Sequence, residues 1–125
     1  LLTGSHVGSD MRTDSERTFL SEVLKCRWDA TRPPDSATLV NGLNFQFPIH
    51  RVPCAEHYAA QMPDALQPTT PAAFNAFAYA NGLGAGVAYK GSDYRVVTMG
   101  FPFECIQITA DRHKAMQALL TFLLE

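Results

Sequence analysis

The segment Arg95-Val-Val-Thr-Met-Gly-Phe-Pro-Phe-Glu104 most constrains what this chain can fold into. From Val96 to Met99 the segment is apolar on both faces, so an extended segment here needs cover on both, as an interior strand does. Gly100 and Pro102 stop that strand, and the chain turns through Phe-Pro-Phe-Glu before a C-terminal helix. Glu104 then falls at the carboxyl end of a sheet strand, where open α/β folds bind ligands. Just upstream, Gly84-Ala-Gly-Val-Ala-Tyr-Lys90 and Tyr94 to Gly100 flank Gly91-Ser-Asp93, turn residues suited to a three-residue hairpin loop.

The remaining elements follow from caps and periodicity. Thr13-Asp-Ser-Glu16 is a capping box, in which the Thr hydroxyl covers the Glu amide and the Glu carboxylate reaches back. The helix it opens carries Phe19, Leu20, Val23, Leu24 and Cys26 or Trp28 on one face. Its end is expected before Pro33-Pro34, which forbid continuation. From Ala37 to Pro71 prolines punctuate the chain. Ala37–Val40 and Phe45–His50 are expected as short strands there, and Ala55–Gln61 as one or two helical turns. Phe74–Ala80 reads as a strand, and Asp111 as the N-cap of a last helix that buries Ala115, Met116, Leu119, Leu120 and Leu123. Helix, meander and helix around a central strand predict one α/β layered domain over residues 1–125.

Composition removes several function classes. The net charge is −2 over 125 residues and the basic residues are scattered, so no nucleic-acid footprint is expected. No apolar run approaches the roughly 18 residues a membrane span needs, and Leu1-Leu2 is too short for a signal-peptide core. Cys26, Cys54 and Cys105 form no Cys-x-x-Cys and are odd in number. They are expected as small buried hydrophobes and not as a disulfide framework. Leu1-Leu-Thr-Gly-Ser reads as a strand already under way, so the expectation is the C-terminal half of a larger domain, with its edge covered by the rest of the parent polypeptide or a homodimer mate.

The order of Leu-Leu-Thr-Gly-Ser-His-Val-Gly-Ser-Asp-Met, the capped helix, Gly-Val-Ala-Tyr-Lys-Gly, Arg-Val-Val-Thr-Met-Gly-Phe-Pro-Phe-Glu and a closing helix resembles a known module. It is similar to the flavodoxin-like, class I glutamine-amidotransferase-like domain of secreted bacterial proteins labelled xanthan lyase or golvesin-type. The resemblance is densest over residues 1–24 and 87–124. It implies a three-layer flavodoxin-like fold, a secreted or periplasmic location, and an accessory role in a protein acting on polysaccharide or cell wall. It does not imply glutaminase activity. His6 stands where that family's enzymes carry the nucleophilic cysteine, and Phe101-Pro102-Phe103-Glu104 lacks the histidine of their later motif. Glutamine hydrolysis needs a thiolate and a base together.

The candidate site joins Ser5, His6, Asp10 and Glu104 at the carboxyl edge of the sheet. In a hydrolase or lyase reading, Ser5 or a water attacks, His6 serves as base, and Glu104 or Asp10 orients it. The competing reading makes Ser5 and Asp10 loop and cap residues and Glu104 an acceptor at a turn. Ser5 directly follows Gly4, so the Gly-x-Ser-x-Gly elbow is not matched. Cys54-Ala-Glu-His57 with nearby His50 falls short of the three or four ligands of a zinc site, and no cofactor is expected. Gly82, Gly84 and Gly86 precede a strand and open no helix, against a dinucleotide loop. Phe45, Phe47, Tyr58, Phe74, Phe77, Tyr79, Tyr89 and Tyr94 supply either a sugar-stacking platform or cross-strand core pairs.

Overall fold

The computed structural model describes residues 1–125. Its strands are β1 (Leu2–Thr3), β2 (Cys26–Asp29), β3 (Leu39–Gly42), β4 (Phe45–Pro48), β5 (Ala65–Pro68), β6 (Ala73–Tyr79), β7 (Gly84–Lys90) and β8 (Arg95–Met99). Two helices complete it: α1 (Asp14–Thr18), continued by π-helical Phe19–Val23, and α2 (Thr109–Leu124). Six strands form one mixed sheet in the order β1-β8-β7-β6-β3-β4, and β2 pairs with β5 in a second, two-stranded sheet. The α2 helix is not long and apolar enough to cross a membrane, and neither is α1.

This corrects the expected three-layer flavodoxin-like α/β fold. The chain is mostly sheet, a curled half-barrel with two helices. The reason lies in the connections. A flavodoxin-like sheet is parallel and needs a crossover helix between successive strands. Here β1 and β8 are the one parallel pair of the large sheet, and every other neighbour runs antiparallel. Leu43 and Asn44 turn β3 back as β4 with positive φ at both positions, 54° and 68°, the left-handed pair of a tight hairpin turn. Short turns like this leave no chain for flanking helices.

Curling has a local source. The β6–β7 register slips between Asn75 and Phe77 and again between Phe77 and Ala78, and such bulges bend the strand that carries them. Gly42 lies where the bend brings β3 onto β6, and a Cβ there would meet the Ala76 carbonyl and the Phe77 ring. The concave face holds the larger core. Phe47, Phe77, Tyr79 and Phe101 are fully buried in it, and Phe101 stands 6.1–6.3 Å from the other three rings. Ala115 and Leu119 of α2 close that core. On the other face, Leu20, Leu24, Cys26, Leu66, Ala73 and Val87 form a smaller one.

Several local expectations change. The Thr13–Glu16 capping box forms with both reciprocal bonds, but its helix ends at Val23, with Leu24 as the cap. Lys25 then adopts φ 59°, and Cys26–Asp29 is strand, pairing with Ala65–Pro68. Trp28, expected on a buried helix face, is 43% exposed. Ala55–Gln61 contains no helix; Cys54 and His57 close a tight turn instead. The last helix starts at Thr109, not at Asp111, with no side-chain cap at Ile108, and Leu120 lies exposed. The 84–90/95–99 hairpin forms, but Lys90 pairs with Arg95, so four residues, 91–94, connect the strands and not the expected three; the strand through Phe74–Tyr79 forms as the sequence predicts.

The Pro-rich segment is organised by one side chain. Arg51 is buried and donates to the carbonyls of Ala60 (2.8 Å), Pro34 (2.9 Å) and Ala37 (2.9 Å). A planar fork with five donors suits such a convergence of carbonyls. By contrast, the Thr98 hydroxyl on β8 is buried without a hydrogen-bond partner, and the neighbouring Cys26 thiol is only a weak one. A buried, unpaired hydroxyl is a net cost. Thr98→Val is therefore expected to raise unfolding stability by about 1 kcal/mol in urea titration; a loss of stability would mean that the hydroxyl is bonded.

Candidate functional site

The expected quartet lies along one edge of the large sheet but does not form a mutual network. Ser5 and His6 belong to the turn that leaves β1, and Glu104 to a short 3-10 turn, Phe103–Cys105, that follows β8. A bond from the Phe103 amide to the Thr3 hydroxyl, 2.8 Å, ties the two segments together. The imidazole Nδ1 of His6 lies 3.0 Å from the Ser9 hydroxyl, and Asp10 pairs with Arg12 at 3.3 Å in solvent. None of the side-chain hydrogen bonds joins two members of the quartet. Glu104 is exposed. His6 sits at φ 59°, a left-handed conformation that costs a non-glycine residue free energy.

The best-satisfied polar group at this edge is one that sequence reasoning missed. Asp64 is buried, and its Oδ2 accepts the amides of Gly8 at 2.8 Å and Ser9 at 2.9 Å. Its backbone amide donates to the Gly100 carbonyl at 2.8 Å, and its carbonyl accepts the Tyr79 hydroxyl at 2.7 Å. A Cβ on Gly100 would collide with that same Asp64 carbonyl, so the strand-ending glycine is also a close-approach site. Burial, reinforced by the Asp64 charge, drives the Tyr79 hydroxyl far above the ordinary tyrosine range, which keeps it a neutral donor. Nothing local marks Asp64 in the sequence, because its amide partners are more than fifty residues away.

The His50, Cys54 and His57 region forms a surface loop. His50 and His57 stack with ring centroids 3.5 Å apart and planes 9° from parallel. Desolvation first, then the positive charge of His57 and Arg112, holds His50 below the usual imidazole range. His57 Nδ1 lies 3.0 Å from the Tyr58 carbonyl. No three His, Cys, Asp or Glu side chains converge here or elsewhere as metal ligands do. Of the aromatics offered as a sugar platform, Phe47, Phe77 and Tyr79 are core, while Tyr58 and Phe74 are exposed. The Tyr94 hydroxyl is committed to the Val23 carbonyl at 2.8 Å.

The largest concavity lies elsewhere, a groove of ≈ 680 Å³ between α2 and the hairpin end of the large sheet. Its wall includes Lys90 at the end of β7, Arg95 at the start of β8, and Lys114, Gln117, Phe122 and Glu125 from the last helix and its end. It contains no serine, cysteine or histidine. Leu43, in its left-handed turn, also reaches this wall. No family model, no curated protein and no solved structure matches the chain.

The cysteines separate into two kinds. Burial pushes the Cys26 thiol up to about 12. Burial, then the neighbouring Glu104 charge, pushes Cys105 up to about 11. Cys54 is exposed, against the expectation that all three are buried. Both buried thiols have folded values above an unfolded thiol near 8.5. Their stabilising contribution is thus complete below about pH 8.5 and is lost as pH rises through 11–12. A disulfide-exchange reagent at pH 8 is expected to titrate one thiol, Cys54, in the native protein and three after denaturation. Rapid reaction of two or three native thiols would contradict the burial.

Proposed function

We propose that the chain is a non-catalytic accessory module of a secreted bacterial protein that acts on polysaccharide or cell wall, and that its groove beside α2 is a ligand-binding surface. The observation that carries this reading is the groove itself: the largest concavity, lined by cations, amide and hydroxyl groups, and holding no serine, cysteine or histidine. The polysaccharide half rests on the sequence resemblance of residues 1–24 and 87–124 to the xanthan lyase and golvesin-type proteins. Gln117 and Thr121 on the groove wall make no side-chain hydrogen bond within the protein, which leaves their polar atoms available to sugar hydroxyls.

A second reading, a hydrolase or lyase at the sheet edge using Ser5, His6 and Glu104, has one favourable observation. The His6 ring stands at hydrogen-bond distance from a serine hydroxyl, although that serine is Ser9, as a base must from its nucleophile. An i to i+3 bond within a turn has the same geometry for purely structural reasons.

Incubation with a panel of soluble cell-wall and polysaccharide fragments separates the readings, with binding followed by amide chemical shifts and products by reducing-end or unsaturated-sugar assay. The binding reading predicts shifts at Arg95, Lys114 and Phe122 and no product. Product formation abolished by Ser5→Ala, Ser9→Ala or Glu104→Gln, with the fold retained, would overturn it in favour of the hydrolase or lyase. Neither shift nor product would overturn both.

A further inference from the structure

We infer that the groove selects an anionic glycan, one bearing carboxylates along its chain, over a neutral one. This rests on the binding reading above and names the ligand class of that same site.

Three cations line the groove, Lys90, Arg95 and Lys114, in a chain whose net charge is −2. The concentration is therefore local and is not inherited from a basic composition. The protein's two ion pairs, Arg12–Asp10 and Arg51–Asp35, lie elsewhere. None of the three groove cations has a carboxylate within salt-bridge distance, and the single acid on the wall is Glu125. Concave sites lined by one sign of charge focus field and concentrate ions of the opposite sign.

Two of these cations are held in place. The Arg95 guanidinium donates to the Phe122 carbonyl at 2.6 Å and lies 5.8 Å from that residue's ring centroid. The Lys114 ammonium stands 4.2 Å over the Phe45 ring. Cation–π and carbonyl contacts restrict the side chains without neutralising their charge, so part of the ordering cost of binding is already met. The bond to Phe122 uses one of the five guanidinium donors, leaving others for a planar carboxylate.

Size and polarity separate a glycan from a bare anion. The groove, ≈ 680 Å³ and wide open to solvent, is larger than one phosphate and lets a chain lie across it. The free amide and hydroxyl of Gln117 and Thr121 match ring hydroxyls placed between charged groups.

The test uses the whole chain with trigalacturonate, a neutral trisaccharide of glucose, a glutamate tripeptide and inorganic phosphate as probes, by isothermal titration and amide shifts. Trigalacturonate is expected to bind at the groove at least tenfold more tightly than the other three, and to weaken several-fold between 50 and 500 mM salt, as screening requires. Lys90→Gln with Lys114→Gln should lower its affinity at least tenfold; an unchanged unfolding midpoint shows the fold intact, and Lys90→Arg with Lys114→Arg restores binding. Equal or tighter binding of phosphate or the peptide would overturn the glycan assignment. Groove binding of the neutral trisaccharide as tight as that of trigalacturonate would overturn the charge selectivity while leaving the binding-module reading standing. No binding of either sugar, or of any wall fragment, would overturn both.

Discussion

Asp64 holds together four segments that the sequence keeps far apart. Its carboxylate accepts the Gly8 and Ser9 amides from the turn after β1, its own amide reaches the end of β8 at Gly100, and its carbonyl receives the Tyr79 hydroxyl from the end of β6. A buried carboxylate survives only where its charge is met by donors, and two backbone amides on one oxygen supply them. Hydrogen bonds to a charged group are each worth roughly 1.5–3 kcal/mol net, a large share of a small domain's stability. The arrangement also accounts for glycine at position 100. The Gly100 amide continues to the Ala85 carbonyl of β7, so Asp64 extends the ladder of the large sheet toward β5 and the small one.

With that edge locked, the opposite end of the sheet is shaped by different forces. Bulges in β6 curl the sheet, and the aromatic cluster around Phe101 fills the hollow under α2. Where α2 diverges from the hairpin ends of β3–β4 and β7–β8, the aliphatic core gives way to cations poised on Phe45 and Phe122. The two ends of the protein thus differ in kind. At one, buried Asp64 is satisfied by internal hydrogen bonds; the other holds three cations that no carboxylate of the fold pairs. The proposed ligand surface is therefore the groove at the second end and not the Ser5–Glu104 edge.

Local chemistry made some of this legible in the sequence. The capping box, the Gly91-Ser-Asp93 hairpin and the doubly covered strand through Val96–Met99 depend on near neighbours, and all three form. The layer architecture was not legible, because it turns on whether connections are crossovers or hairpins. The decisive turn, Leu43-Asn44, places a leucine in a left-handed conformation that no propensity favours. Cys26 and Trp28 fitted a helical stripe as well as a strand until Ala65–Pro68 supplied the pairing. At the site, Ser5, His6, Asp10 and Glu104 were recognisable as residue types. Asp64 and the Lys90–Arg95–Lys114 cluster were not, since each exists only through long-range contacts.

Amide hydrogen exchange at Gly8 and Ser9, in the native chain and in Asp64→Ala, which removes the shared acceptor, tests the Asp64 junction most directly. The account predicts that both amides in the native chain exchange as slowly as those in the centres of β7 and β8, and that the substitution releases them together with the Asp64-equivalent amide while the hairpin centres stay protected. Fast exchange at Gly8 and Ser9 in the native chain, or protection that the substitution leaves unchanged, would contradict it.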